Sequence, residues 1–475
     1  MAMKNFKLFT SNTRYRLVAA LILLSSCKKL VEKPSSVIVP DNFYTTVTQV
    51  QSAYTASLNA LWGHNVGYQA YMDDFNQDDQ IVRGDLNIPE NYGAELWAAH
   101  YNALLNINTA IKALKKGLPG VDKSQTDVLM GEGKFLRAYN YFMLVRIFGG
   151  VPLIVETTPD PVTTKLARAS VQQVYDQIVS DFTDAIAKLP VTRSADMRGL
   201  PTRDAAKGLL AKAYLTMATY PLNVPANYAK AAEMAKEVID SARYSLVPDI
   251  KDLFSVATQY GPEMMWSLNS NYQNLGPDPR IWSDMRGFGD ICAEPTWEQA
   301  YPKQPRKDAF IETTLNGVLY YDLGDYWPGV KKFQYDSPAD FAAGRSVINM
   351  PVIRFADVLL IFAEAENMSK GGPTQNAVDA INKVINRANG YVVNNQDPLA
   401  TTSLTKEAFD TKVIQERNYE LCFEIDRWFD LIRKHILKRE SLPDVQINFS
   451  NDDYLWPIPT NDIQVDPLLT QNPGY

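Results

Sequence analysis

The side chains with the greatest potential for chemistry are four aspartates in one short stretch. Asp73 and Asp74 are adjacent, and Asp78 and Asp79 follow soon after. Two carboxylates can hydrolyse a glycosidic bond, but the reaction needs a set separation across the bond, which adjacency in sequence does not provide. The stretch is rich enough in oxygen for calcium, but it lacks the EF-hand spacing. We therefore predict no catalytic residue and no metal site here.

Other signatures of catalysis are missing from the sequence. It contains no G-x-S-x-G, H-E-x-x-H or glycine-rich phosphate loop. Three cysteines and three histidines occur, and no histidines pair at metal-ligand spacing. We therefore expect a protein that is not an enzyme and that uses no cofactor.

One cysteine does lie in a context that implies chemistry. A basic start leads into an apolar run at 17–24, and Leu-Ser-Ser precedes Cys27. This pattern is typical of an export signal, and the small residues before the cysteine resemble a bacterial lipobox. The apolar run is too short to span a bilayer as a helix. We predict a lipoprotein signal peptide at 1–26, acylation of Cys27, and a polar tether over 27–40.

Aromatic side chains outside the helical patterns are candidates for ligand binding. The chain has 25 tyrosines and 8 tryptophans, and four of the tryptophans lie within 266–327. Sugar C–H faces stack on aromatic rings, while aspartate, asparagine and arginine bind the hydroxyl groups. A place in the core of the insertion is the alternative for each aromatic. On this basis we predict a ligand-binding site at Tyr71, Asp74, Tyr272, Trp282 and Trp327.

Composition excludes one class of partner. The formal net charge is −7, and the four basic residues before position 27 have no acidic neighbours there. The rest of the chain is therefore more acidic still. Binding to nucleic acid needs clustered lysine and arginine, so nucleic acid is not expected as a partner. With 46% hydrophobic and 21% charged residues, the chain has the composition of a packed globular protein.

Amphipathic patterns with helical spacing recur in pairs along the chain. Small residues at expected close contacts suggest tetratricopeptide-like units. The predicted fold is mainly α, a scaffold of about eight helices packed as four antiparallel pairs. The predicted helices are 95–116, 124–148, 170–189, 202–220, 228–242, 352–368, 374–388 and 405–437.

The scaffold is interrupted in the middle of the chain. Helical periodicity fades, and proline, glycine and asparagine become frequent. We predict an aromatic-rich mixed α/β insertion at 245–350, with a strand at 263–268 that buries Trp266. The scaffold then divides into an N-terminal part, 41–244, and a C-terminal part, 351–475, which ends in a proline-rich wrapping tail.

Charged residues next to apolar positions of the helices predict buried ion pairs rather than catalytic groups. Leu421, Ile425, Trp428 and Ile432 step by four, three and four residues, which predicts one apolar face of the last helix. The charged residues are Arg137, Arg354, Glu416, Arg417, Glu420, Asp426 and Arg433.

Several segments, in this order behind a lipobox, resemble the SusD/RagB family of Bacteroidetes surface lipoproteins. The resemblance spans nearly the whole chain. The matching segments are GEGKFLRAYNYF at 131–142, RIFGGVPL at 146–153, TRDAAKGLLAKAYL at 202–215, IRFADVLLIFAEA at 353–365, ERNYELCFEIDRWFDLIR at 416–433 and QNPGY at 471–475.

The resemblance implies a lid-like lipoprotein on a SusC-type TonB-dependent transporter, anchored in the outer membrane and facing the cell exterior. Members of the family bind oligosaccharides or, in some cases, peptides. We therefore expect glycan capture for import, with RagB-like peptide uptake as the alternative. A surface glycoside hydrolase and an adaptor that binds only proteins are two further alternatives.

Overall fold

The computed structural model describes residues 44–58, 90–156, 165–269, 276–277, 293–324, 327–333, 345–437 and 451–475. Residues 44–475 form one compact unit. The predicted signal peptide and tether lie outside the described residues. Among the helices of the described ranges, none is both long and apolar enough to cross a membrane.

The N-terminal part is a series of helices in which each packs on the next. The pairs α2–α3, α3–α4, α4–α5 and α5–α6 are all in contact. The helices begin and end where sequence signals predict, since Ser170 forms a capping box at the start of α4 and Gly149 ends α3 with a φ of 74°. The helices are α1 (47–58), α2 (Glu90–Lys116), α3 (Lys123–Phe148), α4 (Val171–Lys188), α5 (Arg203–Met217) and α6 (Asn227–Asp240).

Within its described residues, the insertion contains short strands and two short helices. Its longest strand, β1, buries Trp266 edge-on against Phe135 and Tyr139 of α3, with ring centroids 4.8 and 5.1 Å apart. This confirms that the Trp266 strand belongs to the core. The elements are β1 (Met264–Leu268), β2 (Gly276–Pro277), α7 (Pro295–Ala300), α8 (Pro305–Phe310), β3 (Ile311–Glu312), β4 (Thr314–Leu315), β5 (Val318–Leu319), β6 (Gly329–Val330) and β7 (Arg345–Ser346).

The C-terminal part returns to helices that pack on the N-terminal ones. Helix α9 contacts α5, α6, α10 and α11. The prediction of a mainly α, tetratricopeptide-like scaffold with a mixed insertion is thus confirmed, whereas the predicted domain boundaries stay predictions. The elements are β8 (Met350–Arg354), α9 (Phe355–Lys370), α10 (Gln375–Ala388), α11 (Lys406–Glu420), α12 (Arg427–Arg433) and α13 (Thr460–Val465).

The predicted start of the 352–368 helix is wrong. Residues Met350–Arg354 form β8, which pairs antiparallel with β1, and the helix begins only at Phe355. Pro351 disfavours helical geometry in the residue before it, and the β-branched Val352 and Ile353 favour an extended chain. Because β1 is available as a partner strand, residues 350–354 are extended rather than helical.

The prediction of one helix over 405–437 is also wrong. The chain leaves the helix after Glu420, passes through Phe423 and Ile425 with φ of 63° and 65°, and resumes at Arg427. Lys332 donates to the Glu420 and Cys422 carbonyls at 3.0 and 2.7 Å, which satisfies the acceptors that the break exposes. Leu421, Ile425, Trp428 and Ile432 therefore do not share one helix face, although Leu421, Trp428 and Ile432 are buried and Ile425 packs against the core.

The last 25 residues contact the end of α3. The Trp456 amide donates to the Ile147 carbonyl at 2.9 Å, and the Asn472 side chain donates to the Phe148 carbonyl at 3.1 Å. Arg168 joins the same junction, since its guanidinium donates to the carbonyls of Phe148 and Thr470 at 2.9 and 2.8 Å. The tail is therefore an integral part of the scaffold.

Candidate functional site

Of the six residues to which the sequence assigns a binding or anchoring role, one lies in the described part of the chain. Trp327 is half-buried and lies two residues before the start of β6. The positions outside the described residues are Cys27, Tyr71, Asp74, Tyr272 and Trp282.

Trp327 belongs to a small β-structure that spans residues 311–330. Strand β6 pairs with β3, and β4 and β5 form a hairpin around Asn316 and Gly317, both with positive φ. An Asn-Gly pair is the strongest short signal for such a tight turn. The Tyr320 amide donates to the Thr313 carbonyl at 3.0 Å, and the Pro328 carbonyl accepts from Ala293 at 2.8 Å. The backbone directly after Trp327 is therefore held in place.

The same β-structure presents a second aromatic ring to solvent. Tyr321 is 59% exposed, and its ring lies edge-on to that of Tyr320, with centroids 5.4 Å apart. Tyr320 is buried, and its hydroxyl donates to Glu298 at 3.1 Å. Tyr321 was missed in the sequence, although its place between the Asn-Gly turn and Trp327 was a usable signal. Tyr321 and Trp327 follow the β4–β5 hairpin in the chain, and the two residues together are called the aromatic hairpin below.

The charged residues of the helices form buried networks, as predicted. Glu420 accepts from three guanidiniums, those of Arg306, Arg354 and Arg387, at 2.8, 2.7 and 2.6 Å. Burial alone would raise the pKa of Glu420, but these three positive charges hold it well below its usual range. A carboxylate so fully occupied can neither donate a proton nor attack a substrate.

A second network joins α5, α9, α11 and α12. Arg417 contacts Asp357 and Asp430 at 2.6 and 2.7 Å, and Lys212 contacts Asp426 at 2.6 Å. Arg433 pairs with Glu364 at 2.6 Å in the same network. Between α3 and α4, Arg137 pairs with Asp181 at 2.7 Å. The prediction of structural ion pairs is confirmed for these residues.

Glu416 is a carboxyl of these networks whose pKa lies near neutrality. It lies 2.6 Å from Arg306, which it shares with Glu420 and with Asp397. Burial, only partly offset by the charge of Arg306, raises the pKa of Glu416 to about 7. A general acid needs such a pKa, but Glu416 is only 2% exposed and lines neither cleft described below. Its place supports packing rather than catalysis.

A cleft of about 380 Å³ opens between α2 and the C-terminal tail. Its walls include Trp97, Tyr101, Leu105, Pro152 and Val465. The Trp97 and Tyr101 rings are 4.8 Å apart, and the Tyr101 hydroxyl donates to the Pro152 carbonyl at 2.9 Å. The volume is within the range of pockets for small ligands. Trp97 is only 4% exposed, so its ring closes the cleft without offering an open face.

A second space, of about 30 Å³, lies between α3 and the break after α11. The Arg146 guanidinium lies between the rings of Phe142 and Phe429, 3.8 and 3.6 Å from their centroids. Burial lowers the pKa of Arg146 to about 10, and the carboxylates Asp426 and Asp430 and the tyrosines nearby offset part of that effect. The space has room for a water molecule rather than a ligand.

Comparison with known families identifies the family of this chain. Residues 28–215 match a family model described as "Starch-binding associating with outer membrane", and residues 320–475 match one described as "SusD family". The chain belongs to the SusD/RagB family. SusD-like protein P2 of Formosa agariphila is 27% identical over 96% of this chain and 98% of its own length. A SusD-like protein of Bacteroides ovatus is 23% identical over 94% of this chain and 86% of its own length.

Solved structures of the SusD/RagB fold agree with the architecture. A SusD homolog from Bacteroides thetaiotaomicron superposes with a TM-score of 0.79 at 21% identity, covering 92% of this chain and 98% of its own. Surface glycan-binding protein A from the same species, solved with laminarihexaose, gives 0.71 at 19% identity, covering 90% of this chain and all of its own. At these identities the likeness shows the fold.

Proposed function

We propose that this SusD/RagB protein captures oligosaccharides at the cell surface and delivers them to a SusC-type TonB-dependent transporter in the outer membrane. The match of residues 28–215 to a family described as starch-binding and outer-membrane-associated carries the proposal. A structural relative that binds laminarihexaose supports a glycan as the ligand. Binding without catalysis also agrees with the buried, paired carboxylates described above.

The aromatic hairpin is the described part of the glycan site in this proposal. Tyr321 offers an exposed ring, and Trp327 offers a half-buried ring six residues later. Tyr71, Asp74, Tyr272 and Trp282 complete the proposed site. A sugar chain that stacks on each ring gains about 1 kcal/mol per ring beyond the area buried.

Trp327→Ala and Tyr321→Ala test this site. Each variant should weaken glycan binding about five-fold, which corresponds to the loss of about 1 kcal/mol. Isothermal titration against laminarihexaose, maltohexaose and a tryptic peptide digest first identifies the ligand class and then compares the variants. Tyr214→Ala, a half-buried tyrosine on scaffold helix α5, is the matched control and should bind like the wild type.

Three results would redirect the proposal. Binding of the peptide digest alone would establish the RagB-like alternative. Shortened sugars released by the wild-type protein would establish a hydrolase. Unchanged glycan binding in both aromatic variants would place the glycan site outside the hairpin.

The lipid anchor is tested at Cys27. The Cys27→Ala variant lacks the thiol that would be acylated, so it should move from the membrane fraction to the soluble fraction. Metabolic labelling with a fatty acid gives the second measurement, with Ser26→Ala, which keeps a small residue before the cysteine, as the control. Label retained in Cys27→Ala would show that the anchor is elsewhere.

A further inference from the structure

The cleft beside the C-terminal tail has a rim of exposed aliphatic side chains. Leu105 of α2 is 46% exposed and Val465 of α13 is 63% exposed, and both line the cleft. Leu468, just beyond on the tail, is 51% exposed. Aliphatic groups that remain in water around a concave surface mark a site of interaction.

The walls of the cleft are rigid before anything binds. The Asn108 side chain donates to the Ile154 carbonyl at 2.7 Å, and the Leu166 amide donates to Asp466 at 2.7 Å. These bonds join α2, the turn after α3 and the tail into one preformed surface. Binding to such a surface loses little conformational entropy from the protein.

Charge around the cleft favours a positively charged guest. The walls carry the carboxylates of Glu156, Asp462 and Asp466, of which Glu156 is paired with Lys115 at 3.2 Å. Among the lining residues Lys165 is the one cation, and its ammonium donates to the Val465 carbonyl. Asp462 is half-buried beside Trp97, where burial, only partly offset by a hydrogen bond from the Trp97 indole, raises its pKa. A cation placed next to Asp462 would compensate for the desolvation of that carboxylate.

The same features argue against other ligands. A sugar needs an open aromatic face, and Trp97 is buried while the rim is aliphatic. An anionic lipid would place its phosphate against an acidic rim. A peptide can supply both an aliphatic side chain and a neighbouring lysine or arginine, and the open side of the cleft admits a chain.

We propose that this cleft docks a segment of a partner protein in which a leucine-like side chain lies next to a lysine or arginine. The aliphatic group enters between Leu105 and Val465, and the cation lies beside Asp462. This function is separate from glycan capture, since the cleft shares no lining residue with the aromatic hairpin.

Fluorescent heptapeptides provide the probe for the full-length protein. The test peptide has leucine, lysine and leucine at its centre, flanked by glycine and serine. In a second peptide glutamine replaces the lysine, in a third glutamate does, and in a fourth serine replaces both leucines. Anisotropy should show the lysine peptide binding with a Kd on the order of 0.1 mM, more tightly than the other three.

Variants locate the binding in the cleft. Ala98→Trp fills the cleft from an exposed position of α2 and should abolish binding, whereas Ala229→Trp, exposed on α6, should not. Asp462→Asn keeps an acceptor for Trp97 and should weaken the lysine peptide about five-fold while leaving the glutamine peptide unchanged. Val465→Ser trims the exposed rim without touching the core, so it tests the cleft even if Ala98→Trp folds poorly, and it should weaken every leucine peptide about three-fold.

Equal binding of the lysine and glutamate peptides would overturn the proposal, because charge would then play no part. Unchanged peptide binding in both Ala98→Trp and Val465→Ser would place the peptide elsewhere. Loss of laminarihexaose binding in Ala98→Trp, with peptide binding unchanged, would make the cleft a sugar site. None of these results depends on the aromatic hairpin.

Discussion

Three carboxyl groups share the charge of Arg306 in the interior of the molecule. Glu416 and Glu420 lie 2.6 and 2.8 Å from its guanidinium, and Asp397 lies 3.9 Å away. Glu420 also pairs with Arg354 and Arg387 and Asp397 with Lys412, whereas within the described residues the ion pair of Glu416 is with Arg306. Glu416 is therefore the least compensated of the three buried carboxyls. The proton is retained most readily by Glu416, whose pKa burial raises to about 7.

This arrangement predicts how stability depends on pH. The folded-state pKa of Glu416 is about 7 and its ordinary value is 4.5, so the folded protein binds more protons between those limits. The contribution of Glu416 to stability is therefore full below pH 4.5 and is lost as the pH rises through 7. Urea denaturation across this range should show stability falling as the pH rises.

Glu416→Gln removes the titrating group and keeps the shape of the side chain. The variant should lose less stability than the wild type between about pH 5.5 and 8, because no carboxyl has to ionise in the interior. Glu233→Gln, exposed on α6, controls for the loss of one negative charge. A wild-type pH dependence in Glu416→Gln would assign the effect to another group.

At this scale the sequence predicted the kind of residue but not its partners. Arg354, Glu416 and Glu420 were recognisable because charges next to apolar helix positions must be paired if they are buried. Their partner Arg306 lies in the insertion, 114 positions before Glu420, where no helical pattern points to it. All five predicted ligand-binding residues stay predictions, and four of them lie outside the described residues.

Among the elements, the turn between α3 and α4 depends on a close approach of two backbones. A Cβ on Gly150 would lie 2.4 Å from the Ala169 carbonyl oxygen, and the Ala169 amide donates to the Val151 carbonyl at 2.9 Å. The two segments therefore lie side by side at a distance that permits no side chain at position 150. This accounts physically for the second glycine of the Phe-Gly-Gly-Val segment.

Gly150→Ala should destabilise the protein by about 1–3 kcal/mol, since the backbone must move to admit the methyl group. Gly372→Ala is the matched control, because a Cβ there meets nothing within 4 Å. Thermal unfolding of both variants gives the comparison, and the control should stay within about 0.5 kcal/mol of the wild type. Equal stability of the two variants would mean that the turn relaxes without loss.

Helix ends were predictable where a local signal decides them. Ser170 and Thr202 cap α4 and α5 as their residue types predict. The break after Glu420 was not predictable, because the apolar spacing continues across it and a distant residue, Lys332, satisfies the exposed carbonyls. Strand β8 was missed for the same reason. Its partner strand β1 begins at Met264, 86 positions before β8 begins at Met350.

At the scale of the molecule, the C-terminal tail closes the scaffold. The Asn472 amide donates to the Phe148 and Trp456 carbonyls at 3.1 and 2.6 Å, and its oxygen accepts from Arg168 at 2.7 Å. All three partners lie at the junction between α3 and the tail. One side chain thus satisfies backbone groups of two distant segments.

Asn472→Ala should leave these groups without their partner and destabilise the protein by about 1–3 kcal/mol. In this variant, the backbone amides of 451–475 and of the end of α3 should gain more in hydrogen-exchange rate over the wild type than those elsewhere. Gln464→Ala, exposed on α13, is the control and should leave exchange unchanged. Equal protection of the tail amides from hydrogen exchange in both variants would show that the tail is held without Asn472.

The junction of α3 with the tail also orders events during synthesis. The Phe148 carbonyl receives its Asn472 bond from a residue made 324 positions later. A nascent chain therefore cannot form this bond until residue 472 has been made, and closure over such a separation is slow. A chain that stops before residue 472 lacks the donor that joins the tail to the end of α3.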